Sequence, residues 1–392
     1  MVEQITMKQR EVLISARNIL RIPAYLINGI KYHAAGHWYT PKPIYATLHL
    51  THRCNSRCTM CRDWKTKKDS NELRIPEIRD IFHNPIFKSV KKFVLSGGEP
   101  TLREDMAEIV EIILDSCPQI EEIALITNGL EPDRVLSRVN ELLALPKMRK
   151  SGILTVQVSL DGYGNVHENI RRVPQAFDRA VETITKLKDL QCEVPFYLCL
   201  TCVVQPLNIE NLIQLAEFGQ ETGLPINFVP VDLRNLIANQ PEQNMNENNL
   251  PSLTAAHIEK LKVLFTQQLT PYLKPANIPF WQEYFKIVNG QKRRLPCFLL
   301  HYYVGIDSNG TLYACCRDIP SLAYGNILDE SPDSIWYSDK ARDIRKMVKK
   351  QFCSTCSCCC DTAFSFRLEF FYYAWFLIKK MIRGSQNNSL NL

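Results

Sequence analysis

Three cysteines early in the chain have a spacing that suits a metal centre. Cys54, Cys58 and Cys61 form a C-x3-C-x2-C pattern, and so tight a loop can bring all three sulfurs to one side. A structural zinc site normally has cysteine pairs separated by about two to four residues and a further ligand at a distance. No fourth ligand lies close by in this sequence. A four-iron cluster on three cysteines would keep one iron open for a ligand, with zinc and buried free thiols as alternatives.

Short polar motifs follow the strands that the sequence predicts. Their candidate binding residues are Gly97, Gly98, Glu99, Asn128, Ser159 and Arg171. The two glycines allow a close approach of the main chain, and Glu99 can accept a hydrogen bond from an ammonium group. Ser159 offers a hydroxyl and Arg171 a planar charged fork. Each motif alone could be an ordinary turn, but their shared position after strands favours a binding site.

A second group of cysteines occupies residues 297–360. Cys297 and Cys315 belong to a C-x12-G-x4-C pattern, and Cys353 and Cys356 follow as a C-x2-C pair. Four thiolates can ligate either a four-iron cluster or one zinc ion. Cys316 and the three cysteines at 358–360 compete with them as ligands.

Alternating strand and helix patterns must position these residues. The sequence predicts strands at 44–50, 92–95, 123–126, 154–160, 197–204 and 226–231, and helices near 74–84, 104–116, 132–145, 175–190 and 208–222. This alternation predicts a parallel sheet with right-handed crossovers, and six such units could close part of a barrel. Because the motifs follow the strands, they should meet at the carboxyl edge of the sheet.

The cysteine loop, its place after the first strand and the motifs downstream resemble the radical S-adenosylmethionine (SAM) enzymes. The resemblance implies an α/β fold with a partial (β/α)6 TIM-like barrel, and a 4Fe-4S cluster on the three loop cysteines that binds SAM. It further implies that Gly97, Gly98 and Glu99 hold the SAM amino group and that Asn128 lies near its ribose. Ser159 and Arg171 would hold the carboxylate or ribose, with the adjacent Arg172 as a competitor. Met60 departs from the family, which usually has an aromatic residue before the third cysteine.

The C-terminal cysteine pattern resembles the SPASM and twitch domains that are appended to radical SAM enzymes. This resemblance implies a small α+β domain with an auxiliary 4Fe-4S cluster on Cys297, Cys315, Cys353 and Cys356. A full SPASM domain would have another cysteine where Thr362 stands. The departure favours one auxiliary cluster rather than two.

The family resemblance also implies a reaction and its partners. A one-electron donor of the flavodoxin or ferredoxin type would reduce the cluster, and SAM would yield a 5′-deoxyadenosyl radical. This radical would abstract hydrogen from a small-molecule, sugar, lipid-linked or peptide substrate, and no nucleic-acid partner is expected. The alternative is a non-catalytic iron–sulfur carrier or scaffold, which would need no SAM-binding residues.

Composition indicates a globular protein with reduced cysteines. The chain has 392 residues and 15 cysteines, an odd number that argues against a fully disulfide-bonded secreted protein. The sequence indicates neither a signal peptide nor a membrane-spanning helix, so we expect a cytoplasmic protein. Its formal charge is +6, and residues 1–42 carry six basic residues against two acidic ones. That segment predicts an amphipathic helix, which could contact an anionic membrane surface or pack on its own domain.

These observations predict five segments. They are a basic amphipathic N-terminal helical segment at 1–43, a radical SAM core at 44–234, a linker and helix at 235–290, a SPASM/twitch-like domain at 291–362, and an aromatic basic tail at 363–392.

Overall fold

A computed structural model describes residues 39–61, 64, 71–151, 153–231, 253–273, 277–293, 299–313, 315, 322–351 and 353–356. Within them the chain has a mixed α/β fold built on one sheet of nine strands. The predicted α/β class with a parallel sheet is confirmed.

The first six strands follow the predicted rhythm. The strands are β1 Tyr45–Thr51, β2 Lys92–Gly97, β3 Glu122–Thr127, β4 Leu154–Ser159, β5 Tyr197–Val204, β6 Ile226–Pro230, β7 Tyr303–Ile306, β8 Thr311–Tyr313 and β9 Ala323–Asn326. Their order in the sheet is β6-β5-β4-β3-β2-β1-β7-β8-β9. Strands β1 to β6 pair in parallel with their sequence neighbours, as a series of βα units requires.

Helices connect the parallel strands and continue into the C-terminal part. They are α1 Ile75–Phe82, α2 Met106–Ser116, α3 Pro132–Ala144, α4 Pro146–Ser151, α5 Asn165–Arg171, α6 Ala176–Glu193, α7 Leu212–Glu221, α8 Ala255–Val263, α9 Ile278–Val288, α10 Leu299–Tyr302, α11 Pro332–Tyr337 and α12 Asp339–Gln351. After α8 the chain makes a π-helical turn, Leu264–Gln268, within the region where the sequence indicated one helix.

The two faces of the sheet differ in polarity. In β1, Ala46, Leu48 and Leu50 are at most 1% exposed and belong to the main hydrophobic core, to which the connecting helices also contribute. The alternate residues of the strands lie on the opposite face, where the half-buried His49 of β1 pairs in register with Ser96 of β2. Burial of one face fixes the register, and the other face can present polar groups.

The C-terminal region extends the core sheet. Strand β7 pairs in parallel with β1, from Tyr45 opposite Tyr303 to Leu48 opposite Ile306. Strands β8 and β9 then add antiparallel, and Gly310 occupies the turn before β8 with φ +86°. This positive φ suits glycine, because a side chain is strained there. The SPASM-like region is therefore continuous with the parallel strands of the core sheet through the β1–β7 pair.

A buried arginine joins the elements of the C-terminal region. The Arg345 guanidinium carbon lies 4.2 Å from the Trp336 ring centroid and 4.6 Å from that of Tyr324. Arg345 also donates hydrogen bonds of 2.9 Å to the carbonyls of Leu300 and Trp336. The Trp336 indole in turn donates to the Pro41 carbonyl at 2.9 Å, which connects α11 to the segment before β1.

Several predictions fall on residues outside the described ranges. They concern almost all of the N-terminal segment, the first part of the predicted linker, at 235–252, and the aromatic tail. Among the described residues, none of the helices has the length and apolar character needed to span a membrane. The five segment boundaries remain predictions.

Candidate active site

The cysteine loop follows β1 and is held by the C-terminal end of α5. The Arg57 amide donates to the Arg171 carbonyl at 3.1 Å, and the Thr59 amide donates to the Ile170 carbonyl at 2.9 Å. The last carbonyls of a helix have no partner within it, so they are free to accept these bonds. The end of α5 thereby fixes the loop backbone beside Cys58.

Polar side chains contact two of the loop sulfurs. The Ser56 hydroxyl lies 3.1 Å from the Cys58 sulfur, and the Arg171 guanidinium donates to the same sulfur at 3.4 Å. The Asn128 side-chain amide donates to the Cys54 sulfur at 3.8 Å. Donors aimed at sulfur are what an iron–sulfur site needs, because they stabilise the negative charge of the cluster thiolates.

Burial also affects the protonation of one loop thiol. It raises the pKa of Cys54 to about 11, so binding of a metal centre by this sulfur would require loss of the thiol proton. Among the described side chains, no three of the His, Cys, Asp and Glu residues are close enough for a single metal ion. Cys54, Cys58 and Cys61, with hydrogen-bond donors beside two of their sulfurs, are the residues that would hold a four-iron cluster, and their role as ligands remains a prediction.

Gly97 and Gly98 pack against the cysteine loop. Gly97 has φ +120°, and a Cβ there would collide with the Thr51 carbonyl, while a Cβ on Gly98 would collide with the Arg53 carbonyl. The Gly98 backbone N–H donates to the Thr51 carbonyl at 2.7 Å, and the Glu99 backbone N–H donates to the Arg53 carbonyl at 2.8 Å. The glycines are thus required for close approach to the backbone that leads into Cys54.

The Glu99 carboxylate organises the ends of β2 and β3. It is 1% exposed and accepts hydrogen bonds from the Thr127 hydroxyl at 2.8 Å and from the Asn128 backbone N–H at 2.7 Å. The Thr101 hydroxyl and amide also donate to it, at 2.6 and 3.2 Å. Burial raises the pKa of Glu99, although these hydrogen bonds oppose the rise. The predicted role of Glu99 toward the SAM amino group remains a prediction.

Asn128 connects the third strand to the cysteine loop. In addition to its contact with Cys54, the Asn128 side-chain amide donates a hydrogen bond to the Asn55 side-chain oxygen at 2.7 Å. Asn55 donates in turn to the Glu131 carboxylate at 2.8 Å. Asn55 and Ser56 were not predicted from the sequence, where their only signal is their position between the first two cysteines.

Arg171 occupies a buried position beside the loop. Its guanidinium forms a 2.8 Å ion pair with Asp161, which follows β4. Burial alone would lower the pKa of Arg171, but Asp161 and Cys58 hold it above its usual value. Ser159, at the end of β4, is half-buried opposite Thr201 of β5. The candidate residues from four strands thus meet at one edge of the sheet, and their predicted SAM contacts remain predictions.

The second cysteine group is only partly described. Cys315 and Cys356 are buried and Cys353 is half-buried. The Arg293 amide donates to the Ser354 carbonyl at 2.8 Å, which holds the turn between Cys353 and Cys356. Cys297, Cys316 and the cysteines at 358–360 lie outside the described residues. The ligand set of the auxiliary cluster therefore stays a prediction.

A carboxylate that sequence reasoning missed links the two regions. Asp307, after β7, lies 2.9 Å from the His52 ring nitrogen and 3.7 Å from that of His49. Burial would raise the pKa of Asp307, but the two histidines hold it well below its usual range. The β1–β7 pairing creates this contact between residues far apart in sequence.

Comparisons with protein-family models identify two domains. A model of the radical SAM superfamily matches residues 48–219, and a model of SPASM, an iron–sulfur cluster-binding domain, matches residues 297–360. The two domains indicate 4Fe-4S clusters.

Several curated proteins are similar to part of the chain. A probable GTP 3′,8-cyclase of Methanococcus maripaludis is 29% identical over 243 residues, which cover 57% of this chain and 75% of that protein. The GTP 3′,8-cyclase of Nautilia profundicola is 27% identical over 197 residues, covering 47% and 55%. The AdoMet-dependent heme synthase of Methanosarcina barkeri is 30% identical over 188 residues, covering 47% and 49%. The chain thus spans between about half and three quarters of these relatives.

Solved structures share the fold at low sequence identity. SuiB of Streptococcus suis bound to S-adenosylmethionine has a TM-score of 0.57 at 16% identity, covering 91% of this chain and 79% of SuiB. A structure of anSMEcpe with bound AdoMet and a peptide has a TM-score of 0.55 at 17% identity, covering 87% and 97%. Residues 48–219 therefore form a domain of the radical SAM superfamily, and residues 297–360 form an SPASM-type iron–sulfur cluster-binding domain.

Proposed function

We propose that the protein reductively cleaves SAM at a 4Fe-4S cluster on Cys54, Cys58 and Cys61 and abstracts hydrogen from a C–H bond of its substrate. The observation that carries the proposal is the loop itself, whose sulfurs accept from Arg171 and Asn128 while its backbone packs on Gly98. When bound, the cluster and SAM supply a 5′-deoxyadenosyl radical, which is the difficult part of the chemistry.

The residues of the chain would bind and orient SAM and shield the site. Glu99 fixes the ends of β2 and β3, and in our proposal its motif, with Gly97 and Gly98, holds the SAM amino group. Asn128 would bind on the ribose side, and Ser159 would donate its hydroxyl to the carboxylate or ribose. These groups converge at the carboxyl edge of a parallel sheet, where βα folds assemble their active sites.

The polar face of the sheet supports a substrate chamber next to this edge. His49, Ser96, Gln157 and Thr201 are half-buried there, and Thr201 donates to Gln157 at 3.4 Å. We propose a peptide, sugar or lipid-linked substrate. A purine nucleotide is the second candidate, because several relatives are named GTP 3′,8-cyclase.

The second cysteine group would hold an auxiliary 4Fe-4S cluster on Cys297, Cys315, Cys353 and Cys356. Such a four-thiolate site needs no substrate ligand and suits transfer of an electron from a substrate radical or a structural role. A structural zinc ion on the same cysteines is the alternative.

Partner and location belong to the same proposal. The SAM-binding cluster requires a one-electron donor of the flavodoxin or ferredoxin type. We propose a cytoplasmic protein, because the odd number of 15 cysteines argues against a fully disulfide-bonded secreted protein. We also propose peripheral membrane contact through residues 1–42, to be tested by salt-sensitive binding to anionic vesicles. Equal binding after deletion of that segment would contradict the contact.

Anaerobic reconstitution tests the reaction without knowledge of the substrate. With SAM and dithionite, we expect the wild-type protein to release 5′-deoxyadenosine and each of C54A, C58A and C61A to release none. The exposed Cys192 on α6 provides a matched control, and C192A should retain wild-type turnover. A protein with intact clusters that releases no 5′-deoxyadenosine would be a carrier.

Two further measurements decide which metal the second cysteine group holds and which class of substrate the protein uses. About eight irons per chain would support two four-iron clusters, whereas about four irons and one zinc would support the zinc alternative. Stimulation of SAM cleavage by GTP, but not by peptides or sugars, would favour the nucleotide candidate.

A further inference from the structure

A buried ion pair stands directly behind one loop cysteine. The Arg171 guanidinium lies 3.4 Å from the Cys58 sulfur and 2.8 Å from an Asp161 carboxylate oxygen. Arg171 is 7% exposed, Asp161 is fully buried and Cys58 is 6% exposed. Two charges at this depth are costly unless they remain paired, so the guanidinium is held in one place.

Arg171 also holds the loop through its main chain. Its carbonyl accepts from the Arg57 amide and from the Ser56 hydroxyl, both at 3.1 Å. Ser56 lies 3.1 Å from the same Cys58 sulfur. One residue therefore supports Cys58 through both its backbone and its side chain.

Asp161 is itself fixed by the neighbouring strand. The Val203 amide donates to one carboxylate oxygen at 2.8 Å, which leaves the other oxygen for Arg171. Asn208 donates to the Asp161 carbonyl at 2.7 Å, and the Asp161 amide donates to His167 at 2.9 Å. Because this ring nitrogen accepts, His167 is neutral, which agrees with burial holding its pKa well below its usual value. No second positive charge therefore competes for Asp161 from this ring.

We propose that Asp161 and Arg171 are positioning residues that set the geometry and reduction potential of the cluster at Cys58. The inference rests on the proposed function, since it concerns the same cluster. A positive charge and an N–H donor at a thiolate stabilise the more negative, reduced state, and Asp161 offsets part of that effect. This role differs from the contact with the SAM carboxylate or ribose that the family resemblance implies for Arg171.

Opposite shifts in potential provide the test. In EPR-monitored redox titrations without SAM, we expect R171M to disfavour reduction by at least about tenfold, which is about 59 mV for a one-electron couple. We expect D161N to favour reduction, because it removes the compensating negative charge. The signal that changes when SAM is then added identifies this cluster rather than the auxiliary one. R179M, at an exposed arginine on α6, should titrate like the wild type.

Binding of SAM separates the two roles of Arg171. A potential that is unchanged in R171M and D161N, with at least tenfold weaker SAM binding in R171M alone, would overturn the proposal in favour of a SAM ligand. Shifts of the same sign in both variants would also overturn it. If R171M does not retain a cluster, R171K can replace it, because lysine keeps the positive charge without the planar fork. A reduction potential of R171K that is lower than that of the wild type, by less than about 59 mV, would support the proposal. A wild-type chain that binds no cluster would instead refute the proposed function.

Discussion

The buried carboxylate of Glu99 gives a prediction whose magnitude follows from its hydrogen bonds. One oxygen accepts from Thr127 and twice from Thr101, and the other accepts from the Asn128 amide at 2.7 Å. In E99Q the amide oxygen can replace the first oxygen, but the amide NH2 group then faces the Asn128 N–H. One charge-assisted bond, about 1.5–3 kcal/mol, is lost, and a buried donor is left without an acceptor at a cost of about 1–3 kcal/mol. Because the hydroxyls can reorient, we expect a net destabilisation of about 2–4 kcal/mol.

Urea unfolding of the cluster-free protein measures this loss directly. The matched control is E122Q, which removes a half-buried ion pair with Lys92 and should cost at most about 1 kcal/mol. The displaced Asn128 would also lose its alignment with the Cys54 sulfur, so E99Q should retain less cluster after reconstitution. If E99Q unfolds at the same urea concentration as E122Q, the buried network does not stabilise the ends of β2 and β3 as we infer.

Two further predictions concern the C-terminal region and its contact with β1. R345M removes two cation–π contacts and two hydrogen bonds to buried carbonyls, so we expect urea unfolding to show a destabilisation of about 3–5 kcal/mol. The control R342M removes an exposed ion pair with Asp339 and should cost less than about 1 kcal/mol. Equal effects of the two substitutions would refute a central role for Arg345. Asp307 has a depressed pKa when folded, so its stabilising contribution is present above the unfolded value of about 3.9 and is lost as the pH falls below it. We therefore expect the cluster-free D307N variant to be less stable than the wild type at neutral pH and to lose less stability as the pH falls into the acid range. Denaturation at several pH values measures this difference. An acid dependence equal to that of the wild type would contradict the contact with His52.

Much of the core fold could be predicted because local signals and tertiary structure agree there. All six predicted strands lie within two residues of β1 to β6, since buried parallel strands leave short apolar runs between longer helical patterns. The sequence also placed Cys54, Glu99, Asn128 and Ser159 at or just after the ends of successive strands. In a parallel sheet that placement alone brings them to a common edge.

Other features depended on contacts that leave no local pattern. The pairing of β7 with β1 joins residues more than 250 positions apart, and the short run Tyr303–Ile306 gives no indication of its partner. The contact of Asp307 with His52 follows from that pairing. The sequence likewise predicted a role for Arg171 toward SAM, whereas the ion pair with Asp161 and the approach to Cys58 emerge only when α5 folds back over the loop.

The sequence by itself determined the spacing of the cysteines, the alternation of strands and helices, and the position of the polar motifs after the strands. These properties are local, because they depend on residue type and on distance along the chain. Only the tertiary structure decided which buried charges meet, which donors face the sulfurs, and how the C-terminal strands extend the sheet. Such contacts are set by packing and desolvation between distant segments, where a charge is tolerated only beside its partner.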